Sequence, residues 1–191
     1  MKSYFRSSGY LAEPSITTDS GEILDVAALP AFLRTLLVTD GTVTKSLEAW
    51  FWEPVMVEVL GNHKTTAEQS IGAIDLAAGS RILQREVALI GKHSSRFYAC
   101  ARSIVALDRL PNNIGQALTD GRIGIGELLR EQGFETYREI FDINYQIKID
   151  TNDSLLSQLS PPIISRSYCI SLTGAPAIIV TEYFPVKRYQ N

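Results

Sequence analysis

The sequence has little cysteine and little histidine, which restricts the metal and redox chemistry open to it. Its two cysteines, Cys100 and Cys169, are far apart in the chain, and its two histidines, His63 and His93, have no metal ligand at a useful spacing. Zinc sites and redox motifs place such residues a few positions apart. We therefore predict no metal site, solvated loop histidines, and two reduced, partly buried thiols of the kind found in cytoplasmic proteins.

Long apolar runs and an excess of positive charge are also missing. The net charge is −3 and the isoelectric point is about 5.4, whereas nucleic-acid surfaces need clustered lysine and arginine. No apolar run approaches the roughly 20 residues that cross a bilayer, and the first residues lack the apolar run of a signal peptide. We therefore expect a cytoplasmic protein with no nucleic-acid partner and no stable membrane insertion.

The remaining composition is that of one globular domain. Hydrophobic residues make up 45% and charged residues 20% of the 191 residues, which is enough for a sizeable core. Residues 1–24 are polar and contain serine, threonine, glycine and proline, which predicts a flexible N-terminal arm. We expect residues 25–191 to form a single domain, because no repeat or low-complexity run interrupts them.

The hydrophobic pattern predicts an α+β protein. Six segments have the β-branched or alternating pattern of strands: 55–60, 81–90, 96–107, 134–149, 163–172 and 176–184. Helical spacing occurs over 24–37, with a break near Pro30, then before Pro54, and over 111–118 and 125–131. Strands joined as hairpins, with the helices grouped in two places, predict a single six-stranded antiparallel sheet.

Two segments between these elements carry more specific expectations. The helix before Pro54 has Thr42 or Thr44 as its cap and is expected to turn Leu47, Trp50 and Phe51 inward. Residues 61–80 are polar with a weakly apolar centre, which predicts a mobile cover containing a short helix.

Two charged residues stand on the apolar faces of predicted strands. Glu182 alternates with Val180 and Phe184, and Arg85 alternates with Leu83 and Val87. A charge in such a place is unfavourable unless another group pairs with it or uses it. Two interpretations are open: either the two side chains form a buried structural ion pair, or they hold opposite ends of a polar ligand. The guanidinium fork of an arginine suits a carboxylate.

Two weaker signals bear on the ligand interpretation. The inner positions of the third predicted strand include Ala99, Ala101 and Ser103, and such small side chains leave room either for a ligand or for a helix. Glycines also precede the helix at Ile125, where free N–H groups can bind an anion, although the same pattern occurs at ordinary helix starts.

Several blocks of the sequence, taken in order, resemble the chorismate pyruvate-lyase family. They run from about residue 30 to residue 185, and it is their order that makes the resemblance specific. The matching blocks are Thr42–Lys45 with Leu47 and Glu48, Ile82–Arg85, Ser103–Pro111, Ile125–Leu129, Phe134–Glu139, Leu172–Pro176 and Thr181–Phe184.

This resemblance implies a six-stranded antiparallel sheet with helical flaps over an enclosed ligand site. It assigns Arg85 to the ring carboxylate of the substrate and Glu182 to the ring hydroxyl, and it makes these two the catalytic residues. Val43 and Ile125 match positions that contact the ligand through the main chain. Arg166, on the strand beside that of Glu182, is a further candidate for the second carboxylate of the substrate.

The implied activity is elimination of pyruvate from chorismate to give 4-hydroxybenzoate, for quinone or secondary-metabolite synthesis. Loss of pyruvate makes the ring aromatic, so the resemblance implies no cofactor, and the enzyme has to position the substrate and assist proton movement. Two alternatives remain: a lyase that gives another hydroxybenzoate isomer, and a non-catalytic module that binds an aromatic carboxylate, because a related fold is the effector-binding domain of some transcription regulators.

Overall fold

A six-stranded antiparallel sheet forms the centre of the molecule. The computed structural model describes residues 15–17, 21–121, 123–150 and 152–190. The strands of this sheet are β3 (Val55–Thr66), β4 (Arg81–Gly91), β5 (Phe97–Ala106), β6 (Thr136–Gln146), β7 (Ile163–Leu172) and β8 (Ala175–Pro185). They lie in the order β3-β4-β5-β8-β7-β6, and all neighbours are antiparallel. The predicted α+β class and the six-stranded sheet are confirmed.

Four helices lie on one face of this sheet, which we call the inner face. They are α1 (Ala31–Val38), α2 (Val43–Phe51), α3 (Asn112–Asp120) and α4 (Ile125–Glu131). Helices α1 and α2 pack in one core cluster with Leu89 and Phe184. Helices α3 and α4 pack in a second cluster with Leu83 and Ile178. Because the two helix pairs occupy opposite ends of the sheet, the middle of the inner face lies between them.

Two irregular segments cover the other face of the sheet, which we call the outer face. Ile74 and Leu76 pack against Ile82 near one end, and the segment from Leu155 to Leu159 packs against Ala88 near the other. Cys100 and Cys169 are buried in these two clusters and are both free, as predicted.

The prediction for residues 61–80 was wrong in its main point. Strand β3 does not end at Leu60 but continues to Thr66, with a bulge between Val59 and Gly61 where the register to β4 shifts. A glycine in a strand commonly marks a bulge rather than an end. His63 consequently lies in a strand and not in a loop, and is exposed. The rest of the segment contains one 3-10 turn, Gly72–Ile74, and packs on the outer face.

Part of the predicted N-terminal arm pairs with the start of the domain. Strand β1 (Ser15–Thr17) is antiparallel to β2 (Ile23–Asp25), and Ile16 is buried in the cluster of α1 and α2. The rest of residues 1–20 lies outside the described part of the chain. The division into an arm of residues 1–24 and a domain of residues 25–191 stays a prediction.

Fewer side chains of α2 point inward than we predicted. Leu47 is fully buried, and Phe51 stacks on Tyr98 with ring centroids 3.8 Å apart. Trp50, which we expected to point inward, is 44% exposed and stacks on the ring of Phe32. No helix in the described part of the chain is long and apolar enough to cross a membrane.

Candidate active site

A cavity lies on the inner face of the sheet between the two helix pairs. It measures about 90 Å³, several times the space that one water molecule needs, so it has room for a small molecule. Residues from all six strands of the sheet line the cavity, and the N-terminal turns of α2 and α4 complete its wall. The lining residues are Gly41–Thr44, Val57, Arg85, Val87, Leu89, Ala101, Ser103, Gly124–Glu127, Arg138, Tyr168, Ile170, Val180 and Glu182.

Arg85 is a buried cation with few partners. Strand alternation turns it to the inner face opposite Ser103 of β5, and it is only 2% exposed. Its Nη2 donates a hydrogen bond of 3.0 Å to the carbonyl of Ile123, while its Nε is buried without a partner. Among the described residues it takes part in no ion pair.

The charge of Arg85 persists despite this burial. Burial lowers the pKa of the Arg85 guanidinium, but the ordinary pKa of arginine is so high that the group stays protonated at neutral pH. A buried guanidinium with an unpartnered donor is unfavourable by itself. An anion bound in the cavity would supply the missing acceptor and the missing charge.

Glu182 lines the same cavity from β8. Its Oε2 accepts a hydrogen bond of 2.7 Å from Nε of Arg166, and its Oε1 accepts one of 3.1 Å from the hydroxyl of Tyr168. The ion pair of Glu182 is therefore with Arg166, which lies directly opposite it on β7. The structural pairing of Glu182 with Arg85, one of the two interpretations left open by the sequence, does not occur.

Arg166 holds Glu182 and the segment before α2 at the same time. It is 1% exposed, and its Nη1 donates a 2.6 Å hydrogen bond to the carbonyl of Thr39. Its guanidinium also lies over the ring of Tyr168, 5.1 Å from the centroid. Arg166 is not among the residues that line the cavity, and its role toward the second carboxylate of the substrate stays a prediction.

Tyr168 lines the cavity beside Glu182. Burial raises the pKa of the Tyr168 phenol far above its ordinary value, and the nearby negative charge of Glu182 raises it further. The phenol therefore stays protonated and donates to the carboxylate. Together with Arg166 it fixes both oxygens of Glu182, which leaves the remaining lone pairs of the carboxylate for a group in the cavity.

Two helix N-termini meet at the cavity wall. Val43 is the first residue of α2 and Ile125 the first of α4, and both line the cavity, as do their cap residues Thr42 and Gly124. Neither cap makes a side-chain hydrogen bond to its helix. N–H groups of a first helical turn have no partner within the helix, and they attract anions.

The structure brings together most of the residues singled out in the sequence and adds others. Arg85, Glu182, Val43 and Ile125 line one cavity, and the small residues of β5 lie at its floor through Ala101 and Ser103. Arg166 supports the cavity from behind Glu182. The roles assigned to these residues stay predictions.

Two cavity residues, Tyr168 and Arg138, were not predicted. Tyr168 carried a usable signal, because it alternates with Arg166 on the strand next to Glu182. Arg138 carried almost none: it shares a face of β6 with Thr136 and Ile140, and the opposite face is equally mixed. With no apolar face to compare, strand alternation could not say which way Arg138 points.

Comparison with known proteins decides the family. The model of the family described as "Chorismate pyruvate-lyase Rv2949c-like" matches residues 37–190. The chain belongs to this family. A protein named chorismate pyruvate-lyase from Mycobacterium leprae is 30% identical over 172 residues, covering 87% of this chain and 80% of the relative. The protein of the same name from Mycobacterium tuberculosis H37Rv is 25% identical over 171 residues, covering 84% and 82%.

The fold of this lyase-family chain is similar to the folds of effector and ligand-binding domains that have been solved. The effector domain of PhnF from Mycobacterium smegmatis superposes with a TM-score of 0.61 at 14% identity, covering 79% of this chain and 92% of that domain. The ligand-binding domain of a GntR-family regulator from Bordetella bronchiseptica gives a TM-score of 0.54 at 14% identity, with 68% and 85% covered. At these identities the likeness concerns the fold alone.

Proposed function

We propose that the protein is a chorismate lyase that eliminates pyruvate from chorismate and leaves 4-hydroxybenzoate. One observation carries the proposal within the family: the buried, unpaired guanidinium of Arg85 shares a small cavity with the carboxylate of Glu182. A cation and an anion held apart on one cavity suit a ligand with a carboxylate at one end and a hydroxyl at the other.

The ring carboxylate of the substrate would bind at Arg85. The unpartnered Nε of Arg85 offers a charge-assisted donor, and the main-chain N–H groups of Val43 and Ile125 offer further donors from two helix N-termini. From the strand spacing and rise, the Cα atoms of Arg85 and Glu182 are about 12 Å apart. Their side chains point into the space between, which a single six-membered ring can bridge.

Glu182 would act at the hydroxyl end of the ring. In this elimination the bond between ring C3 and the ether oxygen breaks, C4 loses its hydrogen as a proton, and the ring becomes aromatic. The leaving enolpyruvate takes up a proton and becomes pyruvate, so no electron acceptor is consumed. Glu182, held by Arg166 and Tyr168, would orient the C4 hydroxyl or move the proton.

Helices α2 and α4 would serve as flaps that close the site. Their N-terminal turns line the cavity opposite the sheet, where closure around a substrate would exclude water and strengthen the charged contacts. The free, buried thiols of Cys100 and Cys169 support a reducing, cytoplasmic location. There the product would be available for quinone or secondary-metabolite synthesis.

A non-catalytic binding module is the second candidate. It is favoured by the fold likeness to the effector domain of PhnF and to a ligand-binding domain of a GntR-family regulator. The same cavity could hold an aromatic carboxylate without transforming it.

Incubation of the purified protein with chorismate separates the candidates. We expect pyruvate, measured through lactate dehydrogenase, and 4-hydroxybenzoate, identified by chromatography against the 2- and 3-hydroxy isomers, to form in equal amounts. A reaction without protein is the control for spontaneous chorismate breakdown. Saturable chorismate binding in a calorimeter with no pyruvate above that control would instead establish a binding module.

A further inference from the structure

A second arginine, Arg138, faces the cavity from the side opposite Arg85. It lies on β6, the edge strand, directly across from Ile170 of β7, whereas Arg85 lies on β4 at the far side of β5 and β8. Both residues line the same cavity. A ligand that spans the cavity would therefore meet a guanidinium at each end.

The donors of Arg138 are only partly used. Among the described residues its side chain donates one hydrogen bond, from Nη1 to the carbonyl of Asp40. Its Nε is buried and has no partner. Nε and Nη2 lie on one edge of the guanidinium, which is the edge that binds a carboxylate through two parallel hydrogen bonds. That edge is thus available on the cavity side of the residue.

Within the described part of the chain, no carboxylate neutralises this guanidinium. Arg138 takes part in no ion pair among the described residues. Of the two carboxylates that line the cavity, Glu182 is already paired with Arg166, and Glu127 lies in the first turn of α4. Arg85 takes part in no ion pair among the described residues either, so two separate guanidinium groups of the cavity lack a counter-ion, which favours a ligand that carries two negative groups.

Gly126 keeps the space beside Arg138 open. A Cβ atom at this position would lie 3.5 Å from Nη2 of Arg138 and 3.6 Å from Oγ1 of Thr42. Both distances are ordinary van der Waals contacts, so an alanine would fit here, whereas a longer side chain would enter the gap between α2 and α4 beside the guanidinium. A glycine here leaves that gap for an acceptor from outside the chain.

We propose that Arg138 binds the second carboxylate of a dicarboxylic ligand, which in the proposed reaction is the carboxylate of the enolpyruvyl side chain. This inference rests on the proposed function for the identity of the ligand. It separates the two ends of the substrate: Arg85 holds the carboxylate that remains on the product, and Arg138 holds the carboxylate that leaves with pyruvate. Arg138 would then discriminate substrate from product, because only the substrate carries both groups.

A structural role is the competing explanation, because Arg138 also anchors the segment before α2 through Asp40. Two stable ligands distinguish the roles. 3-(Carboxymethoxy)-4-hydroxybenzoate has both carboxylates and the hydroxyl, and 4-hydroxy-3-methoxybenzoate keeps the ring and the ether but lacks the second carboxylate. Neither can release pyruvate, so their affinities do not depend on turnover.

Titration calorimetry of both ligands tests the proposal. In Arg138→Gln we expect affinity for the dicarboxylate to fall at least tenfold and affinity for the methoxy ligand to change less than twofold. Arg102→Gln, on the outer face, should leave both affinities unchanged, and Arg138→Lys should recover part of the preference. An equal loss for both ligands, or no loss for either, would overturn the proposal.

The outcome is separable from that of the proposed function. If the protein releases no pyruvate from chorismate but wild type prefers the dicarboxylate and Arg138→Gln loses that preference, the lyase activity fails while the carboxylate site stands. If pyruvate is released and the KM of Arg138→Gln for chorismate equals that of wild type, the carboxylate site fails while the lyase stands.

Discussion

Arginines on the two faces of the sheet differ in how many of their donors have partners. On the outer face, Arg102 donates from Nε to Glu86 at 2.7 Å and from Nη1 and Nη2 to Asp153 at 2.8 and 2.6 Å. On the inner face, Arg85 has an Nε with no partner and no carboxylate neighbour among the described residues. Yet the Arg102 side chain is 36% exposed, and Arg85 is only 2% exposed.

This contrast supports our proposal that Arg102 serves the fold and Arg85 serves a ligand. Water could solvate much of Arg102 without help, so its pairing to two carboxylates ties the segment containing Asp153 to the sheet. Arg85 has little access to water, and the chain supplies one carbonyl where a buried charge needs several acceptors. A ligand that enters the cavity would supply the missing acceptors, and this is the basis of the role proposed for Arg85.

Arg166 completes the comparison, because it is both buried and paired. It lies on the inner face like Arg85, but its partner Glu182 and the carbonyl of Thr39 use its donors. Burial alone therefore does not distinguish a ligand-binding arginine. The feature on which our proposals rest is a buried Nε without a partner, which the buried Arg85 and the half-buried Arg138 share.

The largest expected effect on stability is at Arg166. Arg166→Met would leave Glu182 buried without its counter-ion, and loss of one partner of a buried pair costs about 3–5 kcal/mol. We expect the free energy of unfolding, measured by urea denaturation, to fall by this amount. The double variant with Glu182→Gln should recover most of the loss. A single variant as stable as wild type would show that Arg166 does not support Glu182.

The next effect concerns the rate per folded molecule. Glu182→Gln keeps the shape and an acceptor for Arg166, but it cannot move a proton or supply a negative charge. We expect pyruvate release per folded molecule to slow at least about tenfold, or roughly 1.4 kcal/mol of barrier, and the melting temperature to fall as well, because Arg166 loses its buried counter-ion. A normal rate per folded molecule together with a lowered melting temperature would assign Glu182 to stability alone.

The smallest effect is on the outer face and depends on pH. Hydrogen bonds from Arg102 hold the pKa of Asp153 below its ordinary value, and the N–H groups of Leu156 and Leu155 lower it further. Because the folded-state pKa is the lower one, the stabilisation is complete above the unfolded pKa of about 3.9 and is lost as the pH falls through the folded-state pKa.

Asp153→Asn should accordingly lower stability at pH 7 by about 1 kcal/mol or less, since the pair is partly exposed. Melting curves of wild type and variant should converge as the pH falls below about 4. The rate of pyruvate release per folded molecule should not change, because Asp153 lies on the face away from the cavity. A constant difference at all pH values would show that the charge of Asp153 is not what stabilises the segment.

Strand alternation is why much of the site could be predicted. Arg85 and Glu182 each interrupt an otherwise apolar face, so their inward direction followed from neighbours two residues away. The same reasoning failed at Arg138, because both faces of the edge strand β6 are mixed. It could not identify the partner of Glu182 either, since that depends on the register between β7 and β8, which places Arg166 opposite it.

The remaining errors come from contacts that are distant in sequence. The polar stretch after Leu60 stays in β3 because it pairs with β4 as far as Thr66, and local composition carries no sign of that pairing. Trp50 points outward because Phe32, from α1, supplies a stacking partner near the surface. In both places tertiary contacts outweighed the preference of the local sequence.

Titration of Arg85→Met with 4-hydroxybenzoate tests the central claim most directly. Methionine is apolar and matches the arginine side chain as far as Nε, so it removes the unpaired charge and still fills part of the site. If Arg85 serves a ligand, affinity should fall by about 2–5 kcal/mol, and the melting temperature of the free protein should stay within about 4 °C of wild type. Unchanged affinity together with a markedly lower melting temperature would mean that Arg85 supports the fold and would contradict the account.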